Sequence, residues 1–87
     1  MASVEFIDNG NKTTIQCNEN DKLEDIIQRY CLKAKKDIEK MIFLYSGNII
    51  NKKKTFKELA NSDDKQRKII TIVIDNKSTD NQNLNQK

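Results

Sequence analysis

The chain has 87 residues, 33% of them charged and 36% hydrophobic, and a formal net charge of +3. A chain of this size holds one small core, and a positive excess this slight is below what a dedicated nucleic-acid binder carries. No apolar run approaches the ~20 residues needed to cross a bilayer, and the opening residues MASVEF lack the order of a secretory signal, so the expected setting is cytoplasmic or nuclear.

Val4 to Ile7 reads as a short strand, and Asn9-Gly10 behind it supplies the positive φ of a tight hairpin turn. The return run Lys12 to Cys17 alternates, with Thr13, Ile15 and Cys17 inward beside Val4 and Phe6, and Lys12, Thr14 and Gln16 outward. Asp21 with Glu24 three residues on has the form of a capping box. Leu23, Ile26, Ile27, Tyr30, Cys31 and Ala34 then recur at helical spacing, which predicts an amphipathic helix ending near Lys35 or Lys36. A turn over Asp37 to Lys40 leads into a strand at Met41 to Tyr45. Gly47 turns the chain and Ile49-Ile50 form a short fourth strand. After the solvated loop NKKKT, Phe56 and Leu59 plug the core from a helical turn capped by Thr55 and Glu58. Asn61 to Lys68 is a polar loop with Asp63-Asp64-Lys65 at its tip. Ile69 to Ile74, β-branched and free of Gly and Pro, is the natural central strand. The division is a folded domain over residues 1–75 and a disordered polar tail or linker over 76–87, where only one apolar residue remains.

Catalytic chemistry finds no foothold. There is no histidine, no Gly-rich phosphate loop and no nucleophile beside a base, so no catalytic residue, metal site or cofactor is expected. Cys17 and Cys31 are not spaced as a metal pair and read as free, partly buried thiols.

The helix start KLEDII, the strand-turn FLYSGNII and the plug TFKEL stand at ubiquitin-like separations. Over Val4 to Ile74 the chain resembles the ubiquitin superfamily. The resemblance implies an α+β, ubiquitin-like β-grasp fold, with a mixed four- or five-stranded sheet packed on one α-helix. It also implies a binding patch on the outer sheet face. Leu44 takes the place of the patch isoleucine, Val73 that of its valine and Thr71 that of its histidine. Ile42 and Asn48 flank them where ubiquitin has basic residues, and Gly47 matches a glycine of the rim. The patch leucine has no counterpart in Asp8-Asn9-Gly10. Alternation alone also turns Ile42, Leu44, Ile69 and Val73 outward, an apolar patch large enough to mark a binding site. The only glycines are Gly10 and Gly47, so the C-terminal Gly-Gly of conjugated relatives is missing.

These readings lead to a monomeric, non-conjugated and non-catalytic interaction module. It is expected to be the N-terminal ubiquitin-like domain of a larger protein of the ubiquitin-proteasome pathway. Its expected partners are ubiquitin-binding-type helices, proteasome receptors or segregase-type domains. The alternative is a β-grasp domain that meets a small GTPase through its second strand, or an anionic membrane through Lys52, Lys53, Lys54 and Lys57.

Overall fold

The computed structural model describes residues 1–76; the predicted tail, apart from Asn76, lies outside them. Strands β1 (Ala2–Asp8) and β2 (Asn11–Cys17) pair antiparallel, with Val4 opposite Ile15 and Asp8 opposite Asn11. The two residues between them, Asn9 and Gly10, have φ of 55° and 84°. Only residues that tolerate left-handed backbone close a two-residue hairpin this way, so the Asn-Gly signal fixes the register.

Helix α1 (Leu23–Ala34) buries Leu23, Ile26, Ile27 and Tyr30, while Cys31 and Ala34 at the end of the stripe are half-buried. Its N-terminus corrects the expected cap. The N-cap is Lys22, which makes no side-chain cap bond, and Asp21 instead accepts from the Asn18 N–H and the Arg29 guanidinium. The orphan N–H groups of Leu23 and Glu24 donate to the Lys54 and Lys52 carbonyls. A loop thirty residues downstream thus does the work that local side chains usually do. The predicted helix end is close: Lys35 takes left-handed backbone, and Lys36 donates its N–H to the Cys31 carbonyl.

A single 3₁₀ turn at Ile38–Lys40, capped by the Asp37 side chain, leads into β3 (Met41–Tyr45). β4 is Asn48–Ile49 rather than Ile49-Ile50. Ile50 is buried and sends its N–H to the Phe43 carbonyl, so it closes the core instead of lengthening the edge. Helix α2 (Phe56–Leu59) carries the predicted Thr55–Glu58 capping box and buries Phe56. The expected polar loop is instead a helix, α3 (Ser62–Arg67), capped by the Asn61 side chain on the Asp64 N–H at 2.8 Å. β5 (Ile69–Asn76) runs two residues beyond Ile74.

The five strands lie in the order β2-β1-β5-β3-β4, with β1 and β5 parallel and the other pairs antiparallel. β5 is central, as its composition predicts, and the mixed sheet with its helix on one face is the expected α+β grasp. Val4, Phe6, Ile70 and Ile72 from the inner sheet face meet Leu23, Ile26, Ile27 and Phe56 in one core. Burial of each such side chain is worth roughly 1.5–3 kcal/mol relative to exposure. Phe6 stacks on Tyr30 at 4.3 Å between centroids and meets Phe43 edge-on at 6.2 Å. Aromatic geometry thereby ties α1 to two strands. Among the described residues no helix is long and apolar enough to cross a membrane.

Candidate partner-binding face

Inward side chains decide what faces out. Phe43 on β3 and Ile70, Ile72 and Ile74 on β5 are buried, so period-two alternation turns Ile42, Leu44, Ile69, Thr71 and Val73 to the opposite face. Cross-strand register then sets which of them are neighbours. Lys12 pairs with Ile7, Ile7 with Val73, Val73 with Leu44, and Leu44 with Ile49. Four aliphatic side chains therefore form one row across β1, β5, β3 and β4. At a strand spacing of about 4.8 Å the row spans roughly 14 Å. Ile49 is 73% exposed and Val73 47%, while Ile7 and Leu44 are half-buried.

Ile42 adjoins the row along β3, opposite Asp75 on β5. Ile69 does not join it, because Thr71 stands between Ile69 and Val73 on the same face of β5. Gly47 and Ser46 form the turn between β3 and β4, with φ of 81° and 52°. Asn48 beside them donates its amide N–H to the Ser46 carbonyl at 3.4 Å. Thr71 is exposed and donates to the Glu5 carboxylate at 3.2 Å, and Lys12 sits 3.7 Å from the same carboxylate. The polar neighbours thus satisfy one another beside the apolar row.

Two row members, Ile7 and Ile49, are absent from the patch read off the sequence. Ile7 was accessible to the same alternation that put Val4 and Phe6 inside. Ile49 required the hairpin register that sets it opposite Leu44.

Burial, aided by the Asp21 charge, pushes the Cys17 thiol up to about 11. Cys31 is raised for the same main reason, and both cysteines are free. Among the described residues no group of His, Cys, Asp or Glu is placed to hold a metal ion.

The family model described as "Ubiquitin-2 like Rad60 SUMO-like" matches residues 7–74, from the end of β1 into β5. The chain belongs to this ubiquitin-like family. Within the Rad60 SUMO-like frame the outer-face row sits on all three of the long strands that the match covers in part or whole beyond β2, and on the short β4 edge. The ubiquitin of Caldiarchaeum subterraneum superposes with a TM-score of 0.72 at 11% identity, covering 92% of this chain and 98% of that one. The UBL domain of yeast Ddi1 gives 0.70 at 20% identity, covering 92% and 93%. ATBAG1, solved in complex with HSP70, gives 0.71 at 8% identity, covering 87% of this chain and 40% of that one. At these identities the likeness to the solved structures is one of fold. No curated protein sequence matches the chain.

Proposed function

We propose that this Rad60 SUMO-like domain is a non-catalytic protein-interaction module that binds through its outer sheet face. The observation that carries the reading is the unbroken row Ile7–Val73–Leu44–Ile49, with Ile42 beside it. A soluble domain keeps such a continuous apolar strip in water mainly where a partner covers it. Leu44, Ile42 and Val73 form the centre of the contact, and Gly47, Asn48 and Thr71 form its rim. The partner is an amphipathic helix of the ubiquitin-binding type, or a proteasome-receptor or segregase-type domain presenting an equivalent apolar strip. A surface of this size, set against the entropic cost of association, supports Kd values in the micromolar range.

Membership of a longer protein of the ubiquitin-proteasome pathway is part of the same proposal. It is supported by relatives in which the fold is one portion of a chain: the Ddi1 structure is of a domain, and the ATBAG1 match takes up 40% of its chain. The GTPase or membrane alternative draws less support. Lys12 is already paired with Glu5, Lys53 with Glu24, and Lys52 lies over the Phe43 ring, 5.5 Å from its centroid.

The test is a heteronuclear NMR titration with a ubiquitin-interacting helical peptide and with a proteasome-receptor fragment. Shift changes should cluster on Ile7, Ile42, Leu44, Gly47, Thr71 and Val73, and Ile49→Asp or Leu44→Ala should remove them. A silent outer face with both probes would overturn the proposal.

A further inference from the structure

The helix side of the domain carries a second apolar surface, and the charges on its rim complement one another. Leu32 breaks the wet side of α1 and is 75% exposed. Beneath it Cys31 and Ile38 are half-buried against the core. Together with Gln28, Lys35 and Asp37 they line a groove between α1 and the Ile38–Lys40 turn.

The other charges along the groove are already neutralised within the chain. Glu24 pairs with Lys53 at 3.2 Å, and Lys36 with Asp8 at 3.3 Å. Lys35 and Asp37 are both exposed, and neither makes an ion pair among the described residues. Asp37 accepts the Glu39 N–H on one carboxylate oxygen at 3.1 Å, which leaves the other oxygen for an outside donor. Lys35 takes left-handed backbone at the C-cap of α1. One unpaired cation and one unpaired anion thus stand two positions apart beside an exposed apolar side chain.

Such a rim prefers neither an acidic nor a basic partner, but it is complementary to itself. Around a two-fold axis, residue i of one copy meets residue j of the other, and j meets i. Lys35 of each copy can therefore face Asp37 of the other while the two Leu32 side chains leave water together. We infer that this groove is the contact between two copies of the chain, with Cys31, Leu32 and Ile38 at its centre and a Lys35–Asp37 pair on either side. Eight residues line the groove, against roughly 20–30 a side in a stable interface. The pair is accordingly weak, with a dissociation constant of about 0.1–1 mM. At micromolar concentration the chain is then the monomer that the sequence reading expects. Because α1 lies on the opposite side of the sheet from the Ile7–Val73–Leu44–Ile49 row, both outer faces stay open in the pair. A partner with repeated binding segments would be held at two faces at once.

The test is a dilution series of the nitrogen-labelled full chain, followed by NMR and by sedimentation equilibrium. Amides of Gln28, Cys31, Leu32, Lys35 and Ile38 should shift with concentration, and the apparent mass should rise towards that of two chains. Leu32→Asp should remove both effects. Lys35→Glu and Asp37→Lys should each raise the dissociation constant by about fivefold or more, since the two-fold axis makes each substitution count twice. An equimolar mixture of those two variants should associate as the parent does, because each meets its complement at both contacts. Asp37→Lys also gives up the bond to the Glu39 N–H, so Asp37→Asn, which can keep it, should weaken association as well. Ile49→Asp should leave association unchanged, which separates this contact from the outer face. Spectra and mass independent of concentration up to the millimolar range, full association by Leu32→Asp, no recovery in the mixture, or loss of association in Ile49→Asp would each overturn the inference.

Discussion

Asp64 is 8% exposed, and a carboxylate so far out of water must be met by donors. Tyr45 donates its hydroxyl at 2.5 Å, Arg67 adds its guanidinium, and Tyr45 in turn accepts the Asn61 N–H at 3.0 Å. The Tyr45 hydrogen bond is the largest cause holding Asp64 below the ordinary carboxylate range, with Arg67 assisting. Its stabilisation is therefore complete above the unfolded value of about 3.9 and is lost as pH falls through the lower folded value. Asp64→Asn should lower stability by roughly 1–3 kcal/mol at neutral pH. That deficit should shrink progressively below about pH 4, as read from urea midpoints of both proteins across an acid series. A deficit independent of pH would mean that packing, not charge, holds this corner. None of this was legible in the sequence. Asp63-Asp64-Lys65 looks like a solvated tip, because the partners of Asp64 include a strand residue nineteen positions away.

Among the elements, the hairpins, α1 and the capping box of α2 follow from local chemistry, and all were readable. Asn-Gly is close to sufficient for its turn, and Thr55 with Glu58 satisfies its own helix end. α3 was not read because it has no apolar stripe to reveal a period. The signal that existed was its N-cap: Asn61, two acidic residues in the first turn and Arg67 in the last. Asn61→Ala removes that cap and should cost about 1 kcal/mol, with faster amide exchange in residues 62–67 than in β5. The cap expected at Asp21 failed for a different reason. Its carboxylate is taken by Asn18 and Arg29, and the Lys52 and Lys54 carbonyls reach the helix first. Pairing of that kind joins distant segments and leaves no mark in local sequence.

At the scale of the molecule, β5 lies between β1 and β3 while its odd-numbered residues line the outer face. One strand thus carries both the core and the proposed contact, and substitutions should separate the two. Ile72→Ala empties a fully buried site and should cost roughly 2–5 kcal/mol, a large share of the ~5–15 kcal/mol by which small domains are stable. Ile49→Asp should change stability by less than about 0.5 kcal/mol, because Ile49 is mostly in water already. Thermal melts of the two variants check this, and a comparable loss in Ile49→Asp would show that the row is internal packing. The strands, the main helix and the inward residues are determined by the sequence itself, because alternation, helical spacing and turn residues act over a few positions, whereas the β-grasp order was implied by the family resemblance. Tertiary structure alone decided that Ile7, Val73, Leu44 and Ile49 fall in one row across four strands, that Asp64 goes inside and that a distant loop caps α1. Each of those depends on register or on contacts between segments far apart in the chain, and no local pattern encodes which strand will lie beside which.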